Sequence, residues 1–164
     1  MTRLVRSLIL GLLVLSAPRL LEAQERGATA LGEAVAGLDV TARVLVIGAH
    51  PDDEDTQLIT WLARGRQVET AYLSLTRGDG GQNLIGDEQG VDLGLIRTQE
   101  LLSARRIDGA EQFFSRAYDF GFSKSPEEAL RIWGHDKILS DVVWVIRKFR
   151  PDVIITRFPT TGEG

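Results

Sequence analysis

The chain has 164 residues, of which 43% are hydrophobic and 26% charged, with a net charge of −4. These proportions exclude a disordered, collagen-like or multi-span membrane chain and fit one compact domain. Cysteine is absent, which removes disulfide scaffolds, thiolate zinc sites, a cysteine nucleophile and lipidated cysteines, so a metal would rest on carboxylates and on His50 or His135.

Arg3 and Arg6 precede an uncharged apolar run from Leu8 to Ala17, stopped by Pro18 and Arg19. A membrane-spanning helix takes roughly 20 apolar residues, so this shorter run reads as the core of a secretory signal peptide over residues 1–23. The expectation is export to the periplasm or the exterior with cleavage after Ala23, an uncleaved membrane anchor being the alternative. Cleavage there would remove three bases and one acid and leave a net charge of −6. No basic stripe with interleaved aromatics remains to follow a phosphate backbone, so a small molecule is expected as partner rather than nucleic acid.

Residues 24–41 are small, polar and Ala/Gly-rich, a lead-in with one short helix around Ala30 to Ala36. From Arg43 the pattern sharpens. Val44 to Ile47, ended by Gly48, reads as a strand buried on both faces. Pro51 in a first turn, with Asp52, Asp53, Glu54 and Asp55 on the positive end of the dipole, predicts a helix from there to about Arg64. Val68 to Leu75 predicts a second strand leading into Arg77-Gly-Asp-Gly-Gly-Gln-Asn83, which completes a βαβ unit.

Leu93, Ile96, Leu101, Leu102 and Ala104 mark a helix ending near Arg106, and Gln112 to Ser115 a short third strand. A loop is expected from Tyr118 to Pro126. Ile138, Leu139, Val142, Val143, Ile146 and Phe149 recur at helical spacing in a last helix. Asp136 is its expected N-cap and His135 an entry residue rather than a metal ligand. Val153 to Thr156 follows as a fourth buried strand. Trp61, Trp133 and Trp144 read as core or interface residues.

Alternating apolar strands and helices define the fold class as α/β, a Rossmann-like three-layer fold with a mostly parallel sheet. Ligands in such sheets bind at the carboxyl ends of the strands, here after Ile47, Leu75 and Thr156. The first of these positions carries Ala49-His-Pro-Asp-Asp-Glu54. An acidic helix start alone would be structural. With His50 at the strand tip and Asp53 three residues on, however, an imidazole nitrogen and a carboxylate oxygen converge on one divalent ion, a donor pair that suits zinc. Asp52 then falls within reach of a water on that ion. The glycines at 78, 80 and 81 lack the Lys-Ser/Thr end of a phosphate-binding loop and the G-x-G-x-x-G spacing. They read as a tight loop near the metal or as a plain turn.

Three motifs in order, Ala49-His-Pro-Asp-Asp-Glu54, Thr76-Arg-Gly-Asp-Gly-Gly-Gln-Asn83 and Leu95-Ile-Arg-Thr-Gln-Glu-Leu101, resemble the PIG-L (LmbE-like) zinc-dependent N-acetylglucosamine deacetylases. The resemblance covers roughly Arg43 to Gly164. It implies a Zn2+ cofactor held by His50 and Asp53, Asp52 as general base toward a zinc-activated water, a substrate contact from Arg97, and Glu100 in the same helix motif. The implied reaction is hydrolysis of the acetamide of an N-acetylglucosamine-type conjugate to acetate and a free amine. Asp79, Gln82 and Asn83 are then candidates to contact sugar hydroxyls. The family's third zinc ligand is a histidine after the strand that here ends at Thr156, and the sequence to Gly164 holds none. Residues 42–164 are therefore expected to be the N-terminal part of such a domain, its C-terminal part missing, with weak metal binding by two ligands alone and little activity expected of the 164-residue piece itself. Two other readings stand beside this one: a non-catalytic sugar- or nucleotide-binding module, and a plain α/β scaffold.

Overall fold

The structure, a computed structural model, describes residues 27–81, 83–123 and 125–159. The expected signal peptide, Gln82 and residues 160–164 lie outside that range. The chain divides into two compact units at Val40 and Thr41. In the first, α1 (Ala28–Ala36) carries no buried residue. It matches the short helix expected in the lead-in.

The second unit runs β1 (Arg43–Gly48), a 3-10 turn (Pro51–Asp53), α2 (Thr56–Thr60), a π-turn (Trp61–Gly65), β2 (Glu69–Ser74), α3 (Val91–Asp108), β3 (Glu111–Phe114), α4 (Pro126–Trp133), α5 (His135–Phe149) and β4 (Val153–Thr156). The four strands lie parallel in the order β3-β2-β1-β4. The chain steps outward from β1 to β3 and then returns to the other side of β1, so the order reverses at β1. In open α/β sheets a ligand crevice opens at that reversal.

Strand residues alternate between two apolar layers, because successive side chains leave a strand on opposite faces. Val44, Val46 and Tyr72 pack with Ile59, Leu62 and Leu101 of the α2 and α3 layer. Leu45, Ala71, Leu73 and Phe113 pack with Val145 and Phe149 of α5. Each fully buried leucine or isoleucine contributes about 1.5–3 kcal/mol relative to exposure. These two layers hold β1 rigidly from both sides, and the candidate site sits at its tip.

The structure corrects several local expectations. The helix predicted from Pro51 starts at Thr56 instead. The Asp53 carboxylate turns back to the backbone N–H groups of Ala49 and His50, closing a 3-10 turn, while Glu54 is extended. Asp55 then caps α2 by accepting from Leu58 N–H at 2.9 Å. Asp136 is not the cap of α5, whose N-cap is Gly134; it lies in the first turn, 2.9 Å from His135 Nδ1. Helix α4 falls just past the expected loop, capped by Ser125, which accepts from Glu128 N–H. The fourth strand is not buried, since β4 pairs with β1 alone among the described strands and leaves Val153 and Ile154 exposed. Trp61 and Trp144 are also more than half exposed, and only Trp133 is part-buried.

Candidate metal centre

Hydrogen bonds beyond the regular ladder carry the strand tips together. Leu75 N–H donates to Gly48 O and Thr76 N–H to Ala49 O, both at 2.9 Å. The Thr76 hydroxyl donates to Ala49 O as well. On the other side Arg157 N–H donates to Ile47 O. The glycine-rich loop after β2 is thereby held beside the His50 segment.

At that tip one ligand atom each from His50, Asp52 and Asp53 lies within 4.8 Å of the others. The sequence singled out these three residues, and the fold gathers them. Asp53 Oδ2 accepts from Ala49 N–H at 3.0 Å and His50 N–H at 2.8 Å, and stands 3.3 Å from His50 Nδ1. All these contacts use one oxygen, so Oδ1 is left for another partner. Burial pushes the Asp53 carboxyl up, but the bonds from His50 and Ala49 outweigh it and bring its pKa below the ordinary value. The bond to Asp53 in turn raises His50 above the usual imidazole range. Buried Tyr72 fixes the His50 backbone, its hydroxyl donating to His50 O at 2.6 Å. Burial drives the Tyr72 pKa upward, which keeps that donor protonated.

Asp52 is mostly exposed and pairs through Oδ2 with Arg97 Nη2 at 3.0 Å. Arg97 reaches it from α3 by passing over Gly78, where a Cβ would lie 2.3 Å from the guanidinium and where φ is +66°. The positive φ favours glycine there, and a side chain would push the guanidinium aside. Asp52, Arg97 and Glu100 line a small pocket of about 240 Å³, while His50 faces a larger cleft of about 1040 Å³ with Asp119, Phe120, Phe122 and Trp133 in its wall.

The other expected contact residues divide. Asp79 accepts from the Asp119 backbone N–H at 3.2 Å, tying the glycine loop to the segment after β3. Asn83 is engaged in its own loop: its amide donates to Glu88 and its oxygen accepts from Ile85 and Gly86 N–H. Gln82 lies outside the described residues. His135 is exposed on α5 beside Asp136, away from the cluster's residues in both pairing and lining.

Sequence reasoning missed Asp119. Its Oδ1 lies 3.7 Å from His50 Nε2, with the side chain only 8% exposed. Its backbone closes on Gly80, where a Cβ would sit 2.3 Å from Asp119 O. A loop aspartate 69 positions beyond the histidine has no spacing signal; the nearest local sign was that the glycine cluster needed something to pack against.

A parallel α/β domain with a histidine and two aspartates at the tip of its first strand belongs to the class of folds that hold a ligand or metal at a topological switch point. Comparison narrows this class. The family model PIG-L, described as GlcNAc-PI de-N-acetylase, matches residues 45–163, and the chain belongs to that family. A mycothiol S-conjugate amidase of Streptomyces coelicolor is 29% identical over 127 residues, covering 70% of this chain and 43% of the relative. A 1D-myo-inositol 2-acetamido-2-deoxy-alpha-D-glucopyranoside deacetylase of Rhodococcus erythropolis is 33% identical over 143 residues, covering 74% and 47%. The chain thus spans somewhat less than half the length of these relatives. Among solved structures, the N,N'-diacetylchitobiose deacetylase of Pyrococcus horikoshii superposes with a TM-score of 0.53 at 24% identity over 73% of this chain and 44% of that one. That likeness shows the fold. A 4-carboxy-2-hydroxymuconate hydratase from Pseudomonas putida KT2440 shares the fold too, with a TM-score of 0.51 at 19% identity over 70% of this chain and 46% of that one.

Proposed function

We propose that this chain carries the metal-dependent amide-hydrolysis centre of an exported N-deacetylase acting on an acetamido-sugar conjugate. The observation that carries the reading is the convergence of His50, Asp52 and Asp53 at the carboxyl end of β1. Relatives named as deacetylases and an amidase of amino-sugar conjugates support it. So does the donor set: one imidazole and carboxylate oxygens suit zinc.

His50 and Asp53 would hold the ion, His50 through an imidazole nitrogen and Asp53 through Oδ1, the oxygen outside its backbone bonds. When bound, zinc would supply Lewis acidity toward a water and toward the amide carbonyl. Asp52 is the general base. Arg97 holds Asp52 Oδ2, so Oδ1 takes the proton from the attacking water and delivers it to the amine as the C–N bond breaks, giving acetate and a free amino sugar. Asp119 stands beside the His50 ring and orients it, as carboxylate partners of ligating histidines do. Its position at the junction with the large cleft also suits a sugar hydroxyl.

Zinc titration of the chain by calorimetry tests the site itself. Wild type should bind one ion, and His50→Ala and Asp53→Ala should each weaken binding by at least about tenfold. Equal zinc affinity in all three proteins would exclude this cluster as the metal site.

A further inference from the structure

The wall of the large cleft is made largely by the segment after β3 and by α4, of which the chemistry above uses only Asp119. Phe120 is fixed between Tyr118 and Trp133, with ring centroids 6.2 and 5.6 Å away and both pairs edge-to-face. The Trp133 indole is locked in turn by its N–H, which donates to Tyr118 O at 2.8 Å. These rings form a pre-set surface. Phe122, two residues on, is 85% exposed and lines the same cleft. The cleft continues directly from His50 and Asp119 and has a volume of about 1040 Å³. That is the upper end of the roughly 300–1,000 Å³ typical of pockets for drug-sized ligands, and it is more space than a single acetamido sugar fills.

We infer that this aromatic wall is a subsite for the aglycone, and that it selects conjugates whose sugar carries a group with a flat apolar face, stacked on Phe122 and Trp133. The inference rests on the proposed function for the placement of the sugar at His50 and Asp119. A flat apolar group gains contact with rings already held in place, at little cost in side-chain ordering. Phe122 is exposed and loses water contact when such a group arrives.

The test is equilibrium binding by calorimetry to the zinc-loaded full chain carrying Asp52→Asn, in which turnover of the ligand is suppressed, comparing the phenyl and methyl glycosides of N-acetylglucosamine in both anomers. The phenyl glycoside of at least one anomer should bind about five- to tenfold more tightly than its methyl counterpart. Phe122→Ala should shrink that ratio toward one, while Phe122→Trp should keep it. Equal affinity for phenyl and methyl glycosides, or a ratio unchanged in Phe122→Ala, overturns the subsite even if acetate is released. A phenyl preference that depends on Phe122, with no acetate released from either glycoside by the protein that carries this chain with Asp52 intact, sustains the subsite and removes the deacetylase reading instead. Absence of binding by both glycosides overturns both.

Discussion

Arg105 Nη1 lies 2.5 Å from Glu54 Oε2, and the two side chains are only 4% and 9% exposed. The same guanidinium binds Asp108 through Nη2 and Nε and reaches Gln112 at 3.3 Å. The last turns of α3 are thus bolted to the residue directly after the two aspartates of the site. Glu54 is extended rather than helical, and this pairing gives its carboxylate a partner in the interior. Burial acts against the Arg105 charge, but its bonds to Asp108 and Glu54 raise its pKa all the same.

Removing Arg105 would strand two buried carboxylates. Arg105→Met is expected to cost about 3–5 kcal/mol of stability, read from urea unfolding, and Arg105→Lys should recover little of it because an ammonium cannot make the same fork of bonds. A loss below about 1 kcal/mol for Arg105→Met would show that the cluster is solvated rather than structural.

Tyr72→Phe deletes the donor to His50 O without creating a large cavity. We expect a modest stability loss of about 0.5–1.5 kcal/mol and a larger effect on metal, about tenfold weaker zinc binding, since the hydroxyl fixes the backbone of a ligand. Unchanged zinc affinity would show that the His50 backbone is held well enough by its strand contacts alone.

The shifts of His50 and Asp53 give the site a defined pH response. His50 is raised above 6.5, so in the metal-free chain its contribution to stability is complete below 6.5 and is lost as pH rises through its folded value. Asp53 is lowered below 3.8, so its contribution is present above 3.8 and disappears as pH falls through the folded value. A ligating imidazole must be neutral. Zinc affinity should therefore fall as pH drops through the raised His50 pKa, by up to about tenfold per pH unit below it, with one proton released per ion bound. Calorimetry in buffers of different ionisation enthalpy measures that proton. An affinity independent of pH between about 5 and 8 would argue against His50 as a ligand.

Gly78→Ala would place a methyl group 2.3 Å from the Arg97 guanidinium at a φ of +66°. The Arg97 guanidinium must then shift, which disturbs its contact with Asp52. We expect acetate release to drop by about tenfold, as the general base loses the group that orients it, while zinc stoichiometry stays at one. Full activity in Gly78→Ala would show that the Arg97 contact is dispensable.

Much of this was legible in the sequence because strong local signals coincided with tertiary demands. The continuous apolar run from Val44 to Ile47 could be satisfied only by burial on both faces, and the alternation of strands and helices then required a parallel sheet. His50, Asp52 and Asp53 were legible because they are neighbours in the chain. Local chemistry misled where a side chain chose a tertiary partner. Asp53 bonds back to Ala49 and His50 instead of opening a helix, and Glu54 goes to Arg105, 51 residues away. The exposure of β4 was hidden because Val153 to Thr156 is as apolar as a central strand, and burial depends on neighbours that its own sequence does not name. Asp119 was invisible for the converse reason: it reaches His50 through the Asp79 and Gly80 contacts, which no local pattern encodes.

The proposed function rests on His50 and Asp53, which would hold a divalent ion, and on Asp52, which would act as base in acetamide hydrolysis. The most direct test is acetate release from an N-acetylglucosaminide by the zinc-loaded protein that carries this chain, by the same protein after exhaustive chelation and zinc restoration, and by its Asp52→Asn form. The account predicts that release is lost on chelation, returns with zinc, and falls by about 10²–10⁴-fold in Asp52→Asn while its zinc content is retained. Acetate release undiminished by chelation, or an Asp52→Asn protein as active as wild type, would contradict it.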